Sequence, residues 1–360
     1  MPWSETAHPS RIPAGMPAKS CYRFDVATGD FRASNLDKVA SSTHCLTCVP
    51  SDSSIHRGAA PASGARTPAS RARPGVFIRR TISWIVLWLG TLFLIYSGWR
   101  TVSLICIAII ALAGQWEFYR AQEEKGHKVF KQSGLFCGAL LFLVSWYFLI
   151  HRPADARFIH FGIELVLCFS LLGAFIRLVV WQESHREPIT TAALTILGLM
   201  YVPFLFNFVA LLAFMPGDPG ENRFLLIYLL AVTKFSDVGA YVVGSMIGRH
   251  KMIPRISPGK TWEGFAGAML TSLTISIVLT YFMEGRAPSL SFTSSVVLGL
   301  LLPLISVIGD LAESVVKRDA SIKDSGSTIP GIGGALDLID SILFTAPVLY
   351  FYLQFTAPVP

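Results

Sequence analysis

Long apolar runs recur along the chain from Ile82 onward, and short links between them hold most of the charged residues of this region. As helices, such runs can cross the roughly 30 Å of hydrocarbon in a bilayer, although the first two are short and closely spaced. The pattern predicts an all-α polytopic membrane protein of about nine transmembrane helices, near 82–99, 101–116, 133–150, 162–181, 190–214, 223–247, 263–283, 292–309 and 338–356. Merging the first two would make eight. Residues 1–78 read differently. They are rich in Ala, Ser, Pro and Arg and show neither a 3.6- nor a 2-residue period, so they cannot bury enough apolar surface to fold alone. The expected organisation is a disordered basic cytoplasmic tail over 1–78, transmembrane helices over 79–222, and a C-terminal transmembrane region over 223–360 that carries the chemistry. No apolar signal-peptide core precedes Val76, so the tail is expected to be retained.

Composition supports lipid as the main solvent. Hydrophobic residues make up 52% of the chain and charged residues 15%, and the mean hydropathy is +0.53. An ordinary soluble domain is less apolar. The formal net charge is +7, but the cations are spread over the tail and the links rather than gathered into one patch. This argues against nucleic acid and favours anionic lipid and nucleotide phosphates as partners. Cys106, Cys137 and Cys168 lie within apolar runs, where thiols act as small hydrophobes, and no disulfide framework is implied. Cys45 and Cys48, beside His44, have the spacing of a metal knuckle, but no second pair completes four zinc ligands.

Charge in the links predicts orientation, because cytoplasmic links keep an excess of Lys and Arg. With the tail inside, the inner links hold Arg120, Lys125, Lys128, Lys131, Arg186, Arg249, Lys251, Arg255, Lys260, Lys317, Arg318 and Lys323; the outer ones hold Arg100, Arg152, Arg157, Arg223 and Arg286. The chain is therefore expected in the cell's cytoplasmic membrane with its N-terminus inside and its motif-bearing links facing the cytoplasm.

Three segments carry candidate chemistry. In the sixth run, Lys234, Asp237 and Tyr241 share one helix face with Ser236 beside them. Charge within a membrane helix costs at least about 2.5 kcal/mol per residue when it faces lipid, so these residues are expected to face the bundle interior; they read equally as a helix-locking ion pair or as part of a pocket. The next link reads Ser257-Pro-Gly-Lys260-Thr261-Trp-Glu263-Gly264 after a basic stretch from Arg249 to Arg255. Cations, hydroxyls and amides near a helix start suit a polyphosphate. It is not a Walker A loop, because Pro254 stands where that pattern needs glycine. The third segment holds Asp310, Glu313, Ser314, Lys317 and Arg318, then Lys323-Asp324, then Pro330-Gly-Ile-Gly333-Gly334, then Asp337, Asp340 and Ser341. Carboxylates on two helices joined by a glycine-bearing turn could hold Mg²⁺ against a triphosphate. Helix capping and ion pairing by the same acids is the alternative.

Over about residues 80–360 the sequence resembles the phosphatidate cytidylyltransferase family, most specifically from Lys234 to Ser341. The family's C-terminal signature has a Ser, then Lys-Arg, four residues and Lys-Asp, then a Pro-Gly-His-Gly-Gly turn before Asp-Arg, one residue and Asp-Ser. Ser314, Lys317, Arg318, Lys323, Asp324, Pro330, Gly331, Gly333, Gly334, Asp337, Asp340 and Ser341 match it in order and spacing, and Trp116-Glu-Phe-Tyr119 and Asp237-Val-Gly-Ala-Tyr241 resemble further family stretches. Ile332 departs from the family's His and Leu338 from its Arg.

The resemblance implies attack by the phosphatidate phosphate on the α-phosphorus of CTP, giving CDP-diacylglycerol and pyrophosphate in phospholipid biosynthesis. It assigns catalysis to Asp310, Asp337, Lys323 and Asp324, with Asp310 and Asp337 as Mg²⁺ ligands. Substrate binding falls to Asp237, Ser257, Lys260, Thr261, Glu263, Lys317, Arg318, Gly333 and Gly334. A second, monovalent cation and a homodimer are left open. Two other readings stay open beside it: a CTP-dependent lipid alcohol kinase, and a silent membrane paralogue or transporter.

Overall fold

A computed structural model describes residues 21–24, 31–34, 74–152, 158–180, 187–282, 289–320 and 333–356, with the side chains of 21–24, 31–34, 74–82, 84 and 85 left aside. The chain divides into two units, Met1–Ser70 and Arg71–Pro360. In the first, β1 (Cys21–Phe24) and β2 (Phe31–Ser34) pair antiparallel, with Cys21 opposite Ser34 and Phe24 opposite Phe31. The rest of the tail expected over 1–78, up to residue 73, lies outside the described residues, and so does the Cys45–Cys48 knuckle.

The second unit is built of helices: α1 (Pro74–Ser97), α2 (Arg100–Glu124), α3 (Lys131–Trp146), α4 (Ile159–Val180), α5 (Pro188–Leu199), α6 (Leu205–Ala213), α7 (Pro219–Ile247), α8 (Trp262–Phe282), α9 (Phe292–Asp319) and α10 (Ala335–Thr356). A π-helical turn, Tyr147–His151, extends α3. A second, Met200–Phe204, joins α5 to α6 into one pass and takes up Pro203, which cannot donate to the helical ladder. Among the described residues, eight helices are long and apolar enough to cross a membrane. The first expected run, 82–99, falls on α1, which is not among these eight and is divided from α2 by Gly98 (φ +71°) and Trp99. The expected polytopic helical fold is therefore the one observed. Two helices outrun their apolar stretches. α2 continues to Glu124 and α9 to Asp319, so acids expected just outside the membrane ride on continuous helices.

Small residues set the closest approaches, as is usual where lipid offers no hydrophobic driving force between helices. A Cβ at Gly239 of α7 would stand 2.8 Å from the Gly267 carbonyl oxygen of α8, and one at Gly264 2.8 Å from that of Ala240. Between α9 and α10, a Cβ at Gly309 would come within 2.9 Å of the Asp340 carbonyl oxygen. Leu225, Leu229, Leu298, Leu302, Leu336 and Leu343 fill the core between these helices. At one end of α7, Asp218 caps the helix by accepting from the Glu221 amide at 3.1 Å. Glu221 in turn accepts from the Ser289 amide at 3.0 Å and ties that link to the start of α9.

At the other end lie the links that bear the sequence motifs. Between α7 and α8, β3 (Lys251–Ile253) and β4 (Ser257–Thr261) form an antiparallel hairpin. Lys125 after α2 pairs with Asp319 of α9 at 2.6 Å. The start of α10 is held from α2: Glu117, 1% exposed, accepts from the amides of Ala335 at 3.0 Å and Leu336 at 2.9 Å. A carboxylate there satisfies amides that no helical turn can reach and meets the positive end of the helix dipole. Gly334 makes room for it, since a Cβ at that position would lie 2.5 Å from Glu117 Oε2.

Glu117→Ala strands both amides. At about 1.5–3 kcal/mol for each hydrogen bond to a charged group, it is expected to lower the thermal unfolding midpoint of the micelle-purified protein clearly. Gly334→Ala should move the midpoint in the same direction, and wild-type melting of both variants would refute this account of how α10 is anchored.

Candidate active site

Three carboxylates from three helices meet at one hydroxyl. Ser341 of α10, 1% exposed, places its Oγ 2.8 Å from Asp310 Oδ1 of α9, 3.0 Å from Asp340 Oδ1 and 3.3 Å from Asp237 Oδ2 of α7. A hydroxyl has one hydrogen to donate, so it cannot neutralise three acids, and cations gather around it. Lys260 Nζ from β4 is 3.0 Å from Asp310 Oδ2 and 3.4 Å from the Val307 carbonyl. Lys234 Nζ is 3.7 Å from Asp237 Oδ2, and Ser306 Oγ donates to Asp237 Oδ1 at 3.3 Å.

A second cluster adjoins the first. Lys317 Nζ bridges Glu313 Oε1 at 2.9 Å and Asp337 Oδ1 at 2.8 Å, joining α9 to α10. Asp337 Oδ2 accepts from the Gly334 amide at 3.0 Å. Glu313, 5% exposed, thus shares Lys317 with Asp337, one helical turn along α9 from Asp310.

Helical spacing explains the alignment. Ser306, Asp310, Glu313 and Lys317 recur at i, i+4, i+7 and i+11 and form one face of α9; Asp337, Asp340 and Ser341 do the same on α10. Gly309 lets the two backbones close up beside Asp310, which brings that short side chain onto Ser341. Gly333, at φ +130°, turns the chain into α10 in a conformation that side-chain-bearing residues rarely adopt.

Of the residues singled out in the sequence, Asp237, Lys260, Asp310, Lys317, Asp337, Gly333 and Gly334 come together here. Others build the hairpin that presents Lys260. Thr261 caps α8, accepting from the Gly264 amide at 3.1 Å. Glu263 accepts from the Arg249 amide at 3.1 Å and pairs with His250 Nδ1 at 2.6 Å. Ser257 pairs with Ile253 across the strands, and exposed Arg318 donates to the Ile256 carbonyl at 3.4 Å. Lys323, Asp324 and Ile332 lie outside the described residues.

The sequence reading gave no role to Ser306, to Ser341 as a hub, or to Glu117 as an anchor. Ser306 was within reach of spacing alone, one turn before Asp310. Glu117 belonged to the Trp116–Tyr119 stretch that resembles the family, but nothing in that stretch pointed to its anchoring role. Among the described residues, no group of three or more His, Cys, Asp or Glu side chains has a metal-binding arrangement. The oxygen donors of Asp310 and Asp337, each facing a lysine, nevertheless suit Mg²⁺, which takes one or two carboxylates and fills its remaining positions with water and phosphate oxygens.

Beside the clusters, α1, α2, α6, α7 and α10 line a largely apolar, partly open cavity of about 560 Å³. Leu338, 7% exposed, lines it together with Ile339, Ile342 and Lys234. The apolar residue at 338 thus faces this cavity, next to Asp337.

Comparison with known proteins gives the family. Residues 78–356 match the model of the cytidylyltransferase family. A phosphatidate cytidylyltransferase of Mycobacterium bovis is 30% identical over 316 residues, covering 81% of this chain and 94% of the relative. One of Haemophilus influenzae is 30% identical over 288 residues, covering 76% and 98%. A third, of Brucella melitensis biotype 1, is 33% identical over 274 residues, covering 76% and 92%. Spanning the helices that carry both charge clusters, the match places this multi-pass membrane protein in the cytidylyltransferase family.

Proposed function

We propose that the protein transfers CMP from CTP to phosphatidate, forming CDP-diacylglycerol and pyrophosphate for phospholipid synthesis. The observation that carries this reading is the pair of lysine-neutralised carboxylates, Asp310 with Lys260 and Asp337 with Lys317, at the motif-bearing end of a membrane bundle. A phosphate oxygen of phosphatidate forms the new bond to the α-phosphorus of CTP, and the bond from that phosphorus to the bridging oxygen of the β-phosphate breaks. Pyrophosphate leaves with the electron pair. No covalent intermediate on the protein is needed.

Both substrates are anions, so the protein's task is to neutralise and align them. Lys260 and Lys317 balance Asp310 and Asp337 in the free protein and are placed to balance phosphate oxygens when the substrates arrive. Asp310 and Asp337 would hold Mg²⁺, which supplies Lewis-acid polarisation of the phosphates and screens the charge developing on the leaving group. Ser341 and Ser306 hold the carboxylates of α7 and α9 in register, and Glu313 keeps Lys317 directed at Asp337. By the family motif, Lys323 and Asp324 are also assigned to catalysis. The excess of Lys and Arg in links on the same side as the clusters supports a cytoplasmic site, with the N-terminus also inside.

Purified protein in lipid micelles, given phosphatidate, Mg²⁺ and CTP labelled at either the α or the γ phosphate, should put α label into lipid. Asp310→Asn and Asp337→Ala should each abolish that transfer. Label from the γ position appearing in an added lipid alcohol would instead indicate a kinase, and no transfer at all a silent paralogue.

Chelation of divalent cations should stop the reaction, and added Mg²⁺ should restore it. Lys260→Met and Lys317→Met are expected to lower kcat/KM by about 10²–10³, the loss typical of removing one charge-stabilising donor. Wild-type rates in either variant would remove the phosphate-balancing role.

A further inference from the structure

The cavity beside the charge clusters has a shape and polarity that neither the nucleotide nor the reaction chemistry accounts for. Along α7 its wall is formed by Arg223, Leu226, Leu230 and Lys234, successive positions on one helix stripe. At about 1.5 Å per residue, this wall runs roughly 16 Å along the helix axis. Between its ends the cavity is lined by side chains such as Leu94, Ile107 and Leu226. A cytosine base or a polyphosphate would leave its polar groups without partners there. An extended hydrocarbon chain has none to satisfy.

The two ends differ. At one, Arg100 and Arg223 line the cavity; the Arg100 guanidinium donates to the Leu149 carbonyl at 3.2 Å and lies 5.3 Å from the centre of the Phe214 ring, and among the described residues no phosphate-suited cluster of carboxylates and lysines stands beside either. At the other stands Lys234, within 3.7 Å of Asp237 and one helical turn from the three-carboxylate cluster. The first turns of α10 form a common partition: Asp337 and Asp340 belong to the charge clusters, while Leu338, Ile339 and Ile342 line the cavity. The cavity has cations at both ends, but only its Lys234 end abuts the phosphate-handling site, and an apolar slot that opens onto such a site fits an anionic lipid whose phosphate lies at that end.

We infer that this cavity receives one acyl chain of the phosphatidate substrate, with the lipid's phosphate end toward Lys234 and its methyl end toward Arg100. The inference rests on the transferase reading. It adds a place for the hydrocarbon and a cause for chain-length selectivity: a slot of fixed length rewards each methylene that it buries.

The first test uses the full-length protein in micelles and phosphatidate carrying a photoreactive diazirine near the methyl end of one chain. Adducts should fall on cavity residues such as Leu94, Ile107 and Leu226. Unlabelled phosphatidate should suppress them, and phosphatidylcholine should not. Adducts confined to lipid-facing positions of α4 and α8 would overturn the inference; so would equal suppression by phosphatidylcholine, which would mark a general lipid site.

The second test fills the slot with Leu226→Trp or, from the opposite wall, Leu94→Trp. Each excluded methylene is worth about four-fold in binding, from about 0.8 kcal/mol per CH₂. The ratio of kcat/KM for dioleoyl over dioctanoyl phosphatidate should therefore fall at least ten-fold in either variant. An unchanged ratio in both would overturn the proposal. If the wild type transfers no CMP to either lipid, the transferase reading fails, and photolabelling still decides what the cavity holds.

Discussion

Keeping carboxylates inside a helical bundle that lipid surrounds is the constraint on which the rest of this structure depends. An unpaired charge in hydrocarbon is costly, and here Asp237, Asp310 and Asp340 converge on a single serine hydroxyl that can donate only once. The arrangement holds because lysines come from two directions: Lys234 from the same helix as Asp237, and Lys260 from a hairpin outside the helical core. Glu313, Lys317 and Asp337 repeat the solution next door. Paired charges of this kind contribute little net stability, since desolvation offsets most of the attraction. On the proposed reading their value is functional, because a lysine that balances a carboxylate in the free protein would already be placed for a phosphate.

Such a site tolerates little slack, and the surrounding fold removes it with glycine and with helix caps. Gly309 brings α9 and α10 close enough for a short aspartate to reach Ser341. Gly239, Gly264 and Gly267 draw α8 against α7, and Thr261 at the start of α8 fixes the strand that carries Lys260. Glu117 performs the corresponding task for α10 from α2. Its two amide hydrogen bonds set where that helix begins, and with it the positions of Asp337, Asp340 and Ser341. A residue more than two hundred positions away in sequence thereby decides the geometry of the site.

The same partition of α10 separates the two kinds of chemistry that a lipid nucleotidyltransferase has to combine. Polar residues on its first turns face the charge clusters, and apolar ones face a slot within the bundle. Leu338 is instructive. Beside the family motif it reads as the loss of a guanidinium; in the fold it extends the apolar wall up to the edge of the charged site.

The order of apolar runs alone determined that this is a polytopic helical membrane protein, because a backbone in hydrocarbon must satisfy its own hydrogen bonds and helices do so within one segment. The spacing of Asp310, Glu313 and Lys317, and of Asp337, Asp340 and Ser341, was equally legible, since helical periodicity puts such residues on one face wherever the helix lies. The division of labour among them was not. That Thr261 and Glu263 brace a hairpin while Lys260 enters the site, that Ser341 is the point where three helices meet, and that Glu117 anchors α10 are all contacts between distant segments. So is the cavity that five helices line. Periodicity shows which face a residue occupies, but which face of which helix it meets is decided only when the whole bundle packs.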